Sequence, residues 1–120
     1  MIAREDAQRW LDAYVDAWRS YDADAIGALF SADATYRYHP HDEPLEGRAA
    51  IVESWRGERD EPGFWEASYA PFVLTEDVVI AKGETSYATG DRFSNLFELR
   101  FAADGTCRDF TEWYVPQRED

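Results

Sequence analysis

Apolar residues recur near the start of the chain at Trp10, Leu11, Tyr14, Val15 and Trp18, the i, i+4, i+8 spacing of one helical face. Residues 4–20 are therefore predicted as an amphipathic helix. Ser20-Tyr21-Asp22 breaks the pattern, and Asp22 or Asp24 can cap a second helix whose inner face is Ile26, Leu29 and Phe30. Ser31-Ala32-Asp33 ends it. Residues 34–39 (ATYRYH) alternate in β-prone types and read as a short strand. Pro40 stops that strand and holds His39 extended, and residues 40–46 read as a loop. Gly47-Arg48 opens a third helix with Ile51, Val52 and Trp55 inward and Gly57 as its stop.

Beyond a charged loop at residues 59–63, the period switches to two. Residues 64–74 form one strand, bent at Pro71. Residues 75–77 turn, and 78–88 form the next strand with a bulge or bend at Gly83. After a loop at 89–92, residues 93–115 form a long hairpin, and a polar tail follows from Gln117. The first arm of the hairpin sets Phe93, Asn95, Phe97, Leu99 and Phe101 on one face, so Asn95 is a lone polar group in an apolar stripe. The order α-α-β-α-β-β-β-β defines one α+β domain over residues 1–120. Three N-terminal helices cover one face of a curved, mainly antiparallel sheet and close a cone around a pocket.

The hairpin turn decides what that pocket sees. A four-residue loop, Ala102 to Gly105, pairs Phe101 with Thr106 and places Glu112 opposite Asn95, with Phe110 and Tyr114 on the same face. A three-residue loop with a glycine bulge turns Thr111 and Trp113 inward instead.

Composition narrows the partners. The net charge is −13, with 25 acidic and 12 basic residues and no Lys/Arg cluster, so phosphate backbones and anionic membranes are poor partners. No apolar run approaches the roughly 20 residues that span a bilayer, and residues 1–9 are too polar for a signal peptide. Cys107 is the single cysteine, read as a small core residue in a chain kept in a reducing cytoplasm.

Three stretches, YDADAIGALFSADATY, EPLEGRAAIVESW and FELRFAADGTCRDFTEWY, resemble the nuclear-transport-factor-2-like superfamily in its SnoaL-like and ketosteroid-isomerase-like branch. The resemblance covers nearly the whole chain and implies a cystatin-like cone. It implies no single reaction, because that fold hosts isomerases, cyclases, dehydratases, epoxide hydrolases and non-catalytic binders. Tyr14 matches the oxyanion-hole tyrosine of the isomerases. Their general-base aspartate falls at Tyr38, or at His39 if the residue before proline is matched, and their second oxyanion donor falls at Phe97. One of three isomerase groups is thus kept. The resemblance also turns Phe110, Glu112 and Tyr114 inward and implies a homodimer, with Trp113 or Trp65 on the outer face of the sheet.

The candidate catalytic residues are therefore Tyr14, His39, Asn95 and Glu112, with Trp18, Tyr36, Tyr38, Trp55, Phe97, Phe110 and Tyr114 as pocket walls. A phenol can donate to a developing enolate, an imidazole is an acid or base near neutrality, and a carboxylate among aromatics is driven toward its neutral form. Strict alternation points His39 away from Tyr36 and Tyr38, unless the strand end at Pro40 turns it back. Glu84 is a further carboxylate of undetermined facing, and an arginine such as Arg100 or Arg108 could pair Glu112 at a rim. His39 and His41 beside Asp42 and Glu43 lack a metal-ligand spacing, so no metal is expected. No cofactor is expected either, since phosphate loops and nucleophile elbows are missing. Two functions fit: acid–base catalysis on a small hydrophobic molecule, or a non-catalytic ligand-binding or dimeric interaction module.

Overall fold

A computed structural model describes residues 2–57, 59 and 63–117. The chain runs α1 (Arg4–Ser20), α2 (Ala23–Gly27), β1 (Phe30–Arg37), β2 (Leu45–Glu46), α3 (Arg48–Gly57), β3 (Trp65–Leu74), β4 (Val78–Tyr87), β5 (Arg92–Phe101) and β6 (Cys107–Pro116). The strands form a single six-stranded sheet in the order β2-β1-β6-β5-β4-β3. Every pairing is antiparallel except β1 with β6. The expected α+β cone is what the chain forms. The predicted loop at 59–63 falls largely outside the described residues, and so does the tail beyond Gln117.

Helix α1 buries Ala7, Trp10, Leu11, Tyr14 and Ala17 against the sheet, with Val15 and Trp18 packed at the edge of the core. Asp22 caps α2, its side chain accepting from the Ala25 N–H at 3.0 Å. That helix is shorter than predicted. It ends at Gly27, and Phe30 is already strand, because the chain there pairs with β6: the Cys107 N–H donates to the Leu29 carbonyl, and Phe30 stands beside Cys107. A two-residue strand, Leu45–Glu46, lies where a loop was expected, paired with Tyr36 and Thr35 of β1. Both departures come from ladder partners distant in sequence, which local pattern does not carry.

Gly83 is neither bulge nor bend. It keeps register with Tyr69 on one side and Asn95 on the other. A Cβ there would lie 2.1 Å from the Ser68 carbonyl oxygen and 2.3 Å from the Tyr69 ring. The glycine thus makes room for Tyr69 to cross β4. The irregularity of β3 comes instead at Phe72, between the Pro71–Ala81 and Val73–Ile80 pairs.

The hairpin differs from both predicted registers. Its loop holds five residues, 102–106, closed by the Ala102 N–H donating to the Thr106 carbonyl. Arg108 then bulges between the Phe101–Cys107 and Arg100–Asp109 pairs. One extra loop residue and one bulge shift the pairing by two. An even shift leaves the inward face unchanged. Glu112 therefore stands opposite Phe97 rather than Asn95, and Tyr114 stands opposite Asn95.

Candidate active site

The cone opens on a cavity of about 730 Å³. Tyr14 from α1, Trp55 from α3, Tyr36 from β1, and Asn95 and Glu112 from the hairpin all line it. So do Trp18, Tyr38, His39 and Tyr114. Two expected wall residues do not. Phe97 and Phe110 are fully buried and pack against the Tyr14 ring from the core side, at 5.3 and 5.7 Å between centroids. They lie lower on their strands, where the sheet meets the helices, so they support the floor without facing the opening. Glu84 is exposed on the outer face and accepts from Gln117. Arg100 and Arg108 pair with Asp109 and Asp77, not with Glu112.

The polar groups fall into two sets. The deep set is a chain of hydrogen bonds across four strands: Tyr69 Oη to Thr85 Oγ1 at 2.9 Å, Thr85 Oγ1 to Asn95 Oδ1 at 2.8 Å, and Asn95 Nδ2 to Glu112 Oε2 at 3.1 Å. Chemistry fixes each direction. Glu112 as a carboxylate only accepts, so the amide N–H donates to it. The amide oxygen then receives the Thr85 proton, and Tyr69 must donate to Thr85. Tyr69, Thr85 and Asn95 are all buried. Burial pushes the Glu112 acid from the usual 4.5 up to about 7, against the hydrogen bond from Asn95 and the nearby His39, which both pull it down.

Around Glu112 stand phenols that stay protonated. Burial, reinforced by Tyr36 and Glu112, holds Tyr14 well above the ordinary tyrosine range. Burial does the same to Tyr36 and Tyr69. The Trp55 indole N–H is buried beside the Tyr36 phenol and draws its acid down slightly against the larger effect of burial. Glu112 thus shares the cavity with the protonated phenols of Tyr14 and Tyr36. That arrangement can remove a proton from a ligand and hold the oxygen on which negative charge gathers.

The outer set sits at the mouth. β1 ends at Arg37, so alternation no longer governs His39, and its ring turns back to the opening. His39 Nδ1 lies 2.9 Å from Asp42 Oδ2, and Nε2 lies 2.8 Å from the Tyr114 hydroxyl. The loop carrying Asp42 is pinned by Arg37 Nε, which donates to the Asp42 carbonyl at 3.1 Å. The His39 hydrogen bond holds the Asp42 acid below the usual carboxylate range. Among the described residues, no group of three His, Cys, Asp or Glu could hold a metal. Of the described residues lining the cavity, none is Lys or Arg, whereas Glu112, Asp42 and Asp91 are acidic.

Sequence pattern alone missed Tyr69, Thr85 and Asp42. The first two continue the inward alternation of their strands, and Gly83, in register with Tyr69 and Asn95, leaves room for the Tyr69 ring to reach Thr85. Asp42 carried no periodic signal, since its role depends on the fold of a loop.

Helices backing a curved sheet around a cavity are the fold this chain shares with a nuclear-transport-factor-2-like protein of known structure. The SnoaL-like domain model matches residues 11–110, and the chain belongs to that family. Among solved structures, a nuclear-transport-factor-2-like protein of unknown function from Burkholderia xenovorans is similar, with TM-score 0.75 and 20% identity over 97% of this chain and 88% of that one. A protein from Kribbella flavida described as a putative ketosteroid isomerase is similar as well, with TM-score 0.72 and 17% identity over 98% of this chain and 83% of that one. Identities this low speak for the fold alone. No curated protein matches the chain.

Proposed function

We propose that this protein is an acid–base enzyme acting on a small, largely apolar, uncharged molecule that carries a carbonyl or similar oxygen. The observation that carries the reading is Glu112: a carboxyl set among aromatics, held by Asn95, with its acid at about 7. Near neutrality it exists in both forms, so it can take a proton in one half of a cycle and return it in the other. Tyr14 and Tyr36 supply donors for the oxygen. The acidic lining, without Lys or Arg among its described residues, disfavours carboxylate and phosphate ligands. Isomerisation, dehydration and aldol-type cyclisation of carbonyl compounds each begin with this proton removal next to the carbonyl.

The test needs no natural substrate. In 5-nitrobenzisoxazole, removal of the one C–H proton of the isoxazole ring breaks the N–O bond, forms a nitrile and gives a coloured phenolate. Turnover is expected, rising with pH through about 7 as Glu112 ionises. Glu112→Gln should lower kcat/KM by about 100-fold or more. Turnover that survives the substitution removes Glu112 from the reaction.

A second reading, a non-catalytic binder, draws on the amide of Asn95, already engaged on both sides by Thr85 and Glu112. Ligand binding without turnover would favour it. A homodimer through the outer sheet face is also part of the proposal, supported by exposed Trp113 and Val115. Trp65 does not contribute, being buried and stacked on Trp18. Sedimentation at micromolar concentration decides it. Placement in the cytoplasm completes the proposal, and the buried Cys107 thiol, pushed up to about 12, suits a chain that needs no disulfide.

A further inference from the structure

Three side chains at the cavity mouth are joined end to end: the Asp42 carboxylate, the His39 imidazole and the Tyr114 phenol, with contacts of 2.9 and 2.8 Å. A carboxylate on Nδ1 fixes the neutral ring as the Nδ1–H tautomer, which leaves the Nε2 lone pair for the Tyr114 proton. Tyr114 shares one face of β6 with Glu112, two residues on, which sets the two roughly 7 Å apart along the strand. Both line the cavity. A ligand two or three bonds long between its reacting atoms can therefore touch the two groups together.

We propose that Tyr114 is a second proton-transfer residue of this cavity, serving the ligand atom opposite the one served by Glu112, with His39 as its proton reservoir and Asp42 as the positioning carboxylate. The inference rests on the acid–base reading of Glu112. In the donating direction His39 is imidazolium and its Nε2–H faces the Tyr114 oxygen. Glu112 takes the C–H proton, the electron pair forms the new multiple bond, and the bond to the departing oxygen breaks. That oxygen takes the Tyr114 proton, and the Nε2 proton re-forms the phenol, leaving neutral His39. In reverse, neutral His39 accepts the Tyr114 proton as Tyr114 takes one from the ligand. The charged and titratable groups that face His39 fit both states. Asp42 stands on Nδ1, Tyr114 stands on Nε2, the His41 ring lies 5.5 Å away, and Glu112 is near enough to be pulled down by it. Phe93 packs the Tyr114 ring at 5.5 Å.

Two probes of one shape separate this from a mere latch. The phenolate freed from 5-nitrobenzisoxazole departs unaided, whereas that of unsubstituted benzisoxazole is far more basic and gains from a proton. Tyr114→Phe and His39→Gln are expected to lower kcat/KM for the unsubstituted compound by about tenfold or more, and for the nitro compound several-fold less. Glu112→Gln should suppress both. The ratio is internal to each protein, so partial misfolding does not move it. Equal losses on both probes overturn the relay while leaving Glu112 in place. If the wild type turns over neither probe, the reading of Glu112 fails, and nitrogen-15 NMR decides the triad. Neutral His39 should carry its proton on Nδ1, Asp42→Asn should scramble that preference, and Tyr114→Phe should move the Nε2 resonance. A mixed tautomer in the wild type, or an Nε2 resonance indifferent to Tyr114, overturns the proposal.

Discussion

Glu112 and Asp42 are carboxyl groups lining one cavity, and their surroundings push them in opposite directions. Glu112 is set deep among rings, its strongest partner is a neutral amide, and its acid rises to about 7. Asp42 is half-exposed at the mouth, is bonded to His39, and falls below the usual range. Desolvation decides at the deep end and a partner decides at the mouth. The deep end also has neighbours on all sides: Tyr14 alone meets the rings of Trp10, Trp18, Trp55, Tyr69, Phe97 and Phe110. A polar group placed there must be satisfied inside the protein, whereas one at the mouth can turn to solvent. Substitutions should therefore change stability at the deep end, down where they strand or crowd a group and up where they remove a buried charge, and leave it nearly alone at the mouth.

Gly83→Ala is expected to have the largest effect. The new Cβ would meet the Ser68 carbonyl and the Tyr69 ring, and backbone cannot step aside cheaply. Overpacking of this kind costs about 3 kcal/mol or more here, read from urea unfolding. It should also part Tyr69 from Thr85. A mild loss would mean that the deep end yields more easily than its packing indicates.

Glu112→Gln comes next and has the opposite sign. The folded acid sits at about 7, above the ordinary 4.5, so the folded state holds the proton more tightly. The wild type therefore loses stability as pH rises from about 4.5 to 7. At 1.36 kcal/mol per pH unit the loss approaches about 3 kcal/mol. Glutamine carries no such penalty, so the variant should be the more stable protein at pH 8 and close to the wild type at pH 4.5. Denaturation at the two pH values checks this, and parallel curves would show that burial does not govern Glu112.

Thr85→Val removes the middle of the deep chain. It strands the Tyr69 hydroxyl and the Asn95 oxygen, both buried, at a cost of about 1–3 kcal/mol. Tyr69→Phe in that background should cost less than it does alone, because its bond is already gone. Additive losses would show that the four residues do not act as a chain.

The same contrast explains what could be read from the sequence. Helical and strand periods carried the cone, and alternation carried Asn95 and Glu112 to the inner face. The hairpin register was not legible, because the five-residue loop and the Arg108 bulge are separate local choices. They left the facing right only because their shifts add to an even number. Phe97 and Phe110 share a face with Asn95 and Glu112, and a two-fold period does not say how far along a strand the core ends and the cavity begins. At the mouth, Asp42 meets His39 only because Arg37 and the Asp42 N–H fold residues 39–42 into a turn. Nothing periodic marks such a turn.

Asp42→Asn should have the smallest effect on stability, and it isolates the contrast best. Asparagine keeps the shape, and the backbone anchors of the loop, the Arg37 bond to the residue 42 carbonyl and the residue 42 N–H bond to the His39 carbonyl, do not involve the changed atoms. The lost side-chain contact is in water, which takes its place. An acid held below its usual range adds stability at neutral pH and loses it only as acid protonates it, the reverse of Glu112. The urea midpoint at pH 7 should thus fall only slightly, less than for Thr85→Val, and that small gap should close as acid protonates Asp42, while the His39 tautomer loses its preference for Nδ1–H. A midpoint lowered as far as by Thr85→Val would mean that the mouth cluster holds the fold together, and the contrast between a deep end whose polar groups the protein must satisfy and a mouth open to solvent would not stand.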